Sequence, residues 1–336
     1  MTTPLDVSGQ AMEAQPEAVL QGTGGKAIEG RSLGQIAWTR LKRDKAAVAG
    51  AVVVVFLVLV AIFAERPFGG LIALFGDPPN IPNNDLIDPM TSAPTAAFGG
   101  ISLEHPFGLE PVNGRDIFAR ILSGAQISLL VAFLATLVSV VIGALLGVLA
   151  GYFGGWIDTV ISRLMDVFLA FPLLLFAIAI VGALPDQALG MKGNALRIAV
   201  IVFIIGFFSW PYIARIVRGQ TLSLREREFV DAARSLGASN GYIIFREVFP
   251  NLVAPILVYS TLLIPTNIMF EASLSFLGVG VNEPQASWGG MLTRAVDYYQ
   301  IAPHFMIVPG LAIFITVMAF NLLGDGLRDA LDPRAR

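Results

Sequence analysis

The sequence predicts an all-α membrane protein with six transmembrane helices. Three observations carry that prediction. Apolar runs long enough to cross a bilayer recur six times along the 336 residues. Charged residues make up only 14% of the chain, against roughly 25% in soluble domains. Finally, the stretch 215–250 concentrates charge between two of the apolar runs.

A membrane helix needs about 20 mainly apolar residues. Residues 46–64 carry no charge and give the first span. The second is placed at 126–150, inside the charge-free run 124–156. The third falls at 167–184 with a kink at Pro172, and the fourth at 198–214. The fifth, 252–270, contains Pro255 and Pro265; the sixth, 305–323, contains Pro309. Membrane helices tolerate proline when neighbours satisfy the freed carbonyls.

These spans divide the chain. Residues 1–35 are polar and lack the apolar core of a secretory signal, so they read as a disordered cytoplasmic tail. Residues 36–64 are a lead-in and the first span. Residues 65–123 form an external loop followed by an interfacial helix. Residues 124–327 form the core with five spans and the 215–250 loop, and 328–336 a cytoplasmic C-terminus. The loop 65–105 is rich in Pro, Asn and Asp. Such long loops are functional or disordered, and contact with a substrate-delivery protein and plain disorder both stay open. Ile117, Ile121 and Leu122 suggest a helix lying at the outer interface. Trp156, Trp210 and Trp288 suit interfacial anchoring.

Orientation follows from the basic residues. With the N-terminus inside, sixteen of the 22 Lys and Arg fall on the cytoplasmic side and six outside. The positive-inside rule then places both termini, and the 215–250 loop, in the cytoplasm.

Several functions are excluded. The net charge of −3 argues against a nucleic-acid partner. There is no cysteine, and the two histidines, His105 and His304, are too far apart to suggest a metal site. Gly22-Thr-Gly-Gly-Lys26 is followed by Ala27, where a phosphate-binding loop requires Ser or Thr. No His-Glu-x-x-His or Gly-x-Ser-x-Gly motif occurs, so no catalytic site is expected. The spans are nearly free of ionisable groups, which a proton- or ion-driven carrier keeps at mid-membrane. Asp166 and Glu271 lie at span edges and are the weak candidates for that alternative.

The 215–250 loop is the most structured polar part of the sequence. Ser223 with Glu226 gives a capping-box signal. Phe229, Ala232, Ala233 and Leu236 follow the i, i+3, i+4, i+7 spacing of one apolar helix face. Arg227 and Asp231 are spaced to pair at i, i+4. Gly237 stands where a helix end needs positive φ. Ser239 can start a second helix toward Pro250. From periodicity alone, a solvated loop is as good a reading as a docking element.

Asp231-Ala-Ala, three residues, Gly237, with Pro250 closing the segment, resembles the cytoplasmic loop of ABC importer permeases. That family has Glu at the first position and an apolar-x-Leu-Pro ending; here Asp231 and Glu247-Val-Phe-Pro250 stand instead. Further stretches resemble the dipeptide/oligopeptide type, in particular its C-type permease subunit. They are His105-Pro-Phe-Gly108 with Gly114-Arg-Asp116, and Gly151-Tyr-Phe-Gly-Gly-Trp-Ile-Asp158. Toward the C-terminus they are Glu271-Ala-Ser-Leu-Ser-Phe-Leu-Gly278 and the run from Asn321 to Pro333.

The resemblance implies the type I ABC importer permease fold in the cytoplasmic (plasma) membrane of a prokaryote. It implies pairing with a second homologous permease, two ATPase subunits or domains, and an extracytoplasmic substrate-binding protein. It implies that ATP and Mg belong to the ATPase partners, and that this chain carries no cofactor and is not itself an enzyme. Glu228 to Leu236 would be the coupling helix and Gly237 its hinge. Phe229, Ala232, Ala233 and Leu236 would fill an ATPase groove, and Arg227, Asp231 and Arg234 would set orientation more than affinity. Thr266, Asn267 and Glu271 either line a substrate path or make interhelical hydrogen bonds. Peptides are the expected substrate; nickel chelates, glutathione, haem and oligosaccharides are the family's alternatives.

Overall fold

The computed structural model describes residues 33–64, 70, 72, 77–188 and 190–331. The expected tail over 1–35 therefore lies almost wholly outside the described residues.

A short helix, α1 (Leu33–Leu41), leads into α2 (Lys45–Phe63). The Asp44 carboxylate caps α2 by accepting from the Ala46 and Ala47 amides. Next come α3 (Ile117–Phe153), α4 (Gly155–Ala170) and α5 (Leu173–Gly182). A two-residue hairpin, β1 (Gln187–Ala188) with β2 (Met191–Lys192), leads to α6 (Gly193–Leu224). The short α7 (Glu228–Ser235) precedes α8 (Asn240–Phe276), and α9 (Trp288–Tyr298) and α10 (Pro303–Leu331) complete the chain.

Five of these, α2, α3, α6, α8 and α10, are long and apolar enough to cross a membrane. The pair α4 and α5, bent by 74°, supplies a sixth crossing if it is one span. The predicted third span, 167–184, took in only the second half of this pair. Pro172 lies at the break, where it has no N–H to give the Phe168 carbonyl; the Phe171 amide donates there instead at 3.3 Å.

Glycine decides how the central helices meet. A Cβ at Gly143 would sit 2.7 Å from the Trp210 carbonyl oxygen, and one at Gly147 2.7 Å from that of Ala214. At Gly151 it would come within 2.6 Å of Thr221 Cβ. These three positions, spaced by four, let α3 press backbone to backbone against α6. At the chain's other seam, Gly50 of α2 meets α10 in the same way, its Cβ position 2.7 Å from the Ala319 carbonyl oxygen.

Two expectations fail at the start of α3. Ile117, Ile121 and Leu122 are buried and belong to the span itself rather than to a separate interfacial helix. The helix starts there because Asp116 caps it, accepting from the Ala119 amide at 3.2 Å and pairing with His105 Nδ1 at 2.9 Å. Likewise Trp210 and Trp288 are core residues, not anchors, and Trp288 Nε1 donates to the Ile121 carbonyl at 3.0 Å. Trp156 alone of the three is exposed.

The described part of the long loop, 77–116, is folded. It is held by bridges pairing Ile87 with Pro94 and Leu109 with Asp116. It seats on the bundle through buried Glu110. That carboxylate lies 3.6 Å from Arg115 Nε, 3.6 Å from Arg120 Nε and 3.3 Å from Arg294 Nη1. Glu283 closes the network, accepting from Arg115 Nη2 at 2.7 Å. Burial pushes the Glu110 carboxyl up from the ordinary range, against the pull of the three guanidiniums. Burial would also raise Glu283, but the Arg115 hydrogen bond and the charge of Arg294 hold it below the ordinary value.

Candidate coupling surface

The opposite end of the bundle carries α7. The long α6 runs ten residues past the predicted span end, so Ser223 lies inside its last turns and caps nothing. Arg227 takes the cap position of α7 with extended φ/ψ and no side-chain cap bond. It therefore lies outside the helix and does not pair with Asp231. Asp231 instead accepts from Arg234 at 3.1 Å, an exposed i, i+3 pair, worth at most about 1 kcal/mol.

The end of α7 is as expected. Gly237 has φ +81, its amide donates to the Arg234 carbonyl at 3.0 Å, and the Ala238 amide donates to Ala233 at 3.0 Å. This pair of bonds is the Schellman arrangement, which needs a left-handed residue at that position. Ser239 then starts the next helix, accepting from the Tyr242 amide at 3.3 Å. That helix does not stop at Pro250. A π-turn over Ile243–Val248 carries it into Phe249–Phe276, with Pro250 near the start of the latter segment.

Sequence reasoning missed the residue that seats α7. Val230 is 0% exposed and packs with Ile243, Val248, Leu252, Val217 and Val148. Its signal was weak: one valine, flanked by Phe229 and Asp231, off the i, i+3, i+4, i+7 stripe. Because Val230 is the foot, the stripe itself points largely away from the subunit. Phe229 is 38% exposed and Leu236 88%, while Ala232 is exposed and Ala233 is half-buried. Together with Gly237, Ala238, Ser239, Tyr242 and Glu247 they line a concavity of about 570 Å³. Glu228 is exposed in the first turn, where a carboxylate favours the helix dipole.

The surface is braced to the bundle at the α3–α4 corner. Tyr152 donates to Asn240 Oδ1 at 3.0 Å, and Arg225 Nη1 donates to the Gly151 carbonyl at 3.1 Å. Arg218 grips Asp158 with both Nε and Nη2, the latter at 2.7 Å. These bonds tie the end of α6 and the start of α8, which flank α7, to α3 and α4. Among the described residues no cluster of His, Asp or Glu could hold a metal ion.

The three residues read as a substrate path do not converge. Asn267 is buried and donates to Thr136 Oγ1 at 2.9 Å, tying α8 to α3. Glu271 is 0% exposed and accepts from Ser275 Oγ at 2.7 Å. It lies in α8, five residues before the helix ends at Phe276. Thr266 is exposed on another face, in a shallow cavity with Ser273 and Asn321. Residues 267 and 271 are one helical turn apart, whereas 266 is rotated by about 100° from 267. Asp166 is exposed, pairing with Arg163 at 3.6 Å and Arg215 at 3.4 Å.

The profile of the family described as "Binding-protein-dependent transport system inner membrane component" matches residues 143–336. A second, "N-terminal TM domain of oligopeptide transport permease C", matches residues 32–89. The chain belongs to the binding-protein-dependent permeases of the oligopeptide type. It is 45% identical over 301 residues to the glutathione transport system permease protein GsiD of Shigella flexneri serotype 5b (strain 8401), covering 89% of this chain and 90% of that protein. The same protein of Escherichia coli O157:H7 is 44% identical over the same shares. Among solved structures, the MetNI methionine ABC transporter in an inward-facing form matches with TM-score 0.51 and 19% identity. That match covers 64% of this chain and 98% of the other, and it shows the fold of type I ABC importer permeases. This permease is therefore a multi-pass inner-membrane subunit of an ABC importer, as the loop motif and spans implied.

Proposed function

We propose that α7 is the element through which ATPase subunits drive this permease, and that the α7 end faces the cytoplasm with both termini. The observation that carries the reading is the division of labour on α7. One buried residue, Val230, fixes the helix to its own subunit, and Phe229, Ala232 and Leu236 are left for a partner. Small side chains at 232 and 233 allow a groove to close tightly around the helix. Asp231 and Arg234, exposed and only weakly paired, orient the approach.

The assembly contains a second homologous permease, two ATPase subunits and an extracytoplasmic binding protein. ATP and Mg act in the ATPases. The cargo is a short peptide of the glutathione class, a reading supported by relatives at 44–45% identity over most of their length.

The test is purification of the tagged chain from native membranes in mild detergent, with ATPase activity measured on the eluate. Co-purifying ATPases, lost in Ala233→Trp while the permease still folds, are the expected result. A chain that purifies alone and transports after reconstitution without ATP overturns the reading. Glutathione and dipeptides offered to the intact system then decide the cargo.

A further inference from the structure

The segment joining α1 to α2 carries charge that the coupling surface does not use. Arg40, Lys42, Arg43 and Lys45 fall within six positions. The single acid among them, Asp44, is already committed to capping α2, its Oδ1 accepting from Ala46 at 2.9 Å and Ala47 at 3.2 Å. Lys42, Arg43 and Lys45 are exposed and take part in no ion pair within 4.0 Å among the described residues. Ala37 is buried while Trp38 is 59% exposed, with Lys42 Nζ 4.8 Å from the centre of its ring.

Geometry fixes the depth of these groups. The 19 residues of α2 begin at Lys45 and are apolar from Ala46 on, and 19 residues rise about 28 Å. That matches a hydrocarbon core of about 30 Å, so the cations stand at headgroup level and Trp38 at the interface.

We propose that Trp38, Lys42, Arg43 and Lys45 form a binding site for anionic phospholipid headgroups of the adjoining leaflet. Charge complementarity supplies the argument. A cluster of basic residues immediately beside a transmembrane helix attracts anionic lipid by about 1 kcal/mol per residue near the surface. The inference does not depend on the coupling role of α7.

The full-length chain, extracted with the subunits it carries, is placed in phosphatidylcholine nanodiscs containing tracer spin-labelled phosphatidylglycerol or phosphatidylcholine. The lipid fraction immobilised on the protein gives relative association constants. The expected preference for phosphatidylglycerol is several-fold. It falls toward parity in Lys42→Gln and Arg43→Gln, by no more than about five-fold for each charge removed, and survives in Lys42→Arg and Arg43→Lys. High salt shrinks it in the unmodified protein, because the screening length drops from about 10 Å at 0.1 M to about 3 Å at 1 M. That measurement needs no variant, so a misfolded variant leaves the test intact. Equal association of the two lipids overturns the proposal. So does a preference that ignores both salt and the Gln substitutions, or capture of an acidic protein in place of lipid.

Discussion

Replacing Leu236 by Ala separates binding from folding. Its side chain is 88% exposed, so almost none of its burial energy is used within the chain. Truncation removes three carbons, each worth about 0.8 kcal/mol when buried. A partner that covers Leu236 therefore loses about 2 kcal/mol, or about 30-fold in affinity. The permease's own stability shifts by less than about 0.5 kcal/mol, as for other exposed positions. The assay titrates the cognate ATPase subunits onto the permease in nanodiscs and follows substrate-stimulated ATP hydrolysis beside thermal unfolding. Weaker ATPase binding and uncoupled hydrolysis with unchanged unfolding are expected. Unchanged affinity, or a permease that melts early, refutes the assignment of Leu236 to a partner.

Four further outcomes follow from the same geometry. Val230→Ala removes two buried methyl groups and costs about 1.5–3 kcal/mol, lowering thermal stability and raising protease access at 225–239. Gly237→Ala meets no neighbour within 4 Å, so its cost, about 1 kcal/mol, is purely that of φ +81 and appears as faster amide exchange at the end of α7. Gly147→Val forces α3 from α6, where even a Cβ would sit 2.7 Å from a carbonyl oxygen; at least 1–3 kcal/mol is lost, read as reduced yield of folded protein in detergent. Glu283, held below its ordinary value of 4.5, contributes stability above that value and loses it as pH falls through the lower folded one. Acid should therefore loosen the 283–294 region, and Glu283→Gln should flatten that pH dependence in amide exchange.

Most of the bundle could be read from composition, because lipid demands continuous apolar helices and leaves little ambiguity. What escaped was set by tertiary contact. The α3 start at Ile117 depends on Asp116 meeting His105, a pairing across eleven residues that span counting cannot see. Ser223 and Glu226 make a good local cap signal, yet the packing of α6 on the α3 glycines carries the helix through Ser223. At the coupling surface, Gly237 and Ser239 were legible because their roles are local backbone chemistry. The apolar stripe was legible as a stripe, but not its direction. Val230 decides that, and its burial depends on Val217 and Leu252 from the two flanking helices. Glu271 and Asn267 were visible as polar residues in a span, but only the packed structure turns them toward α3 and away from Thr266.

The coupling role of α7 requires direct contact with an ATPase. Since the chain contains no cysteine, one introduced as Leu236→Cys is the single thiol of this subunit and serves as its crosslinking handle in the native assembly. Leu103→Cys, 99% exposed at the opposite end, is the matched control. The predicted result is an ATPase polypeptide crosslinked through position 236 and none through position 103. Capture of the ATPase from position 103, or from neither, contradicts it.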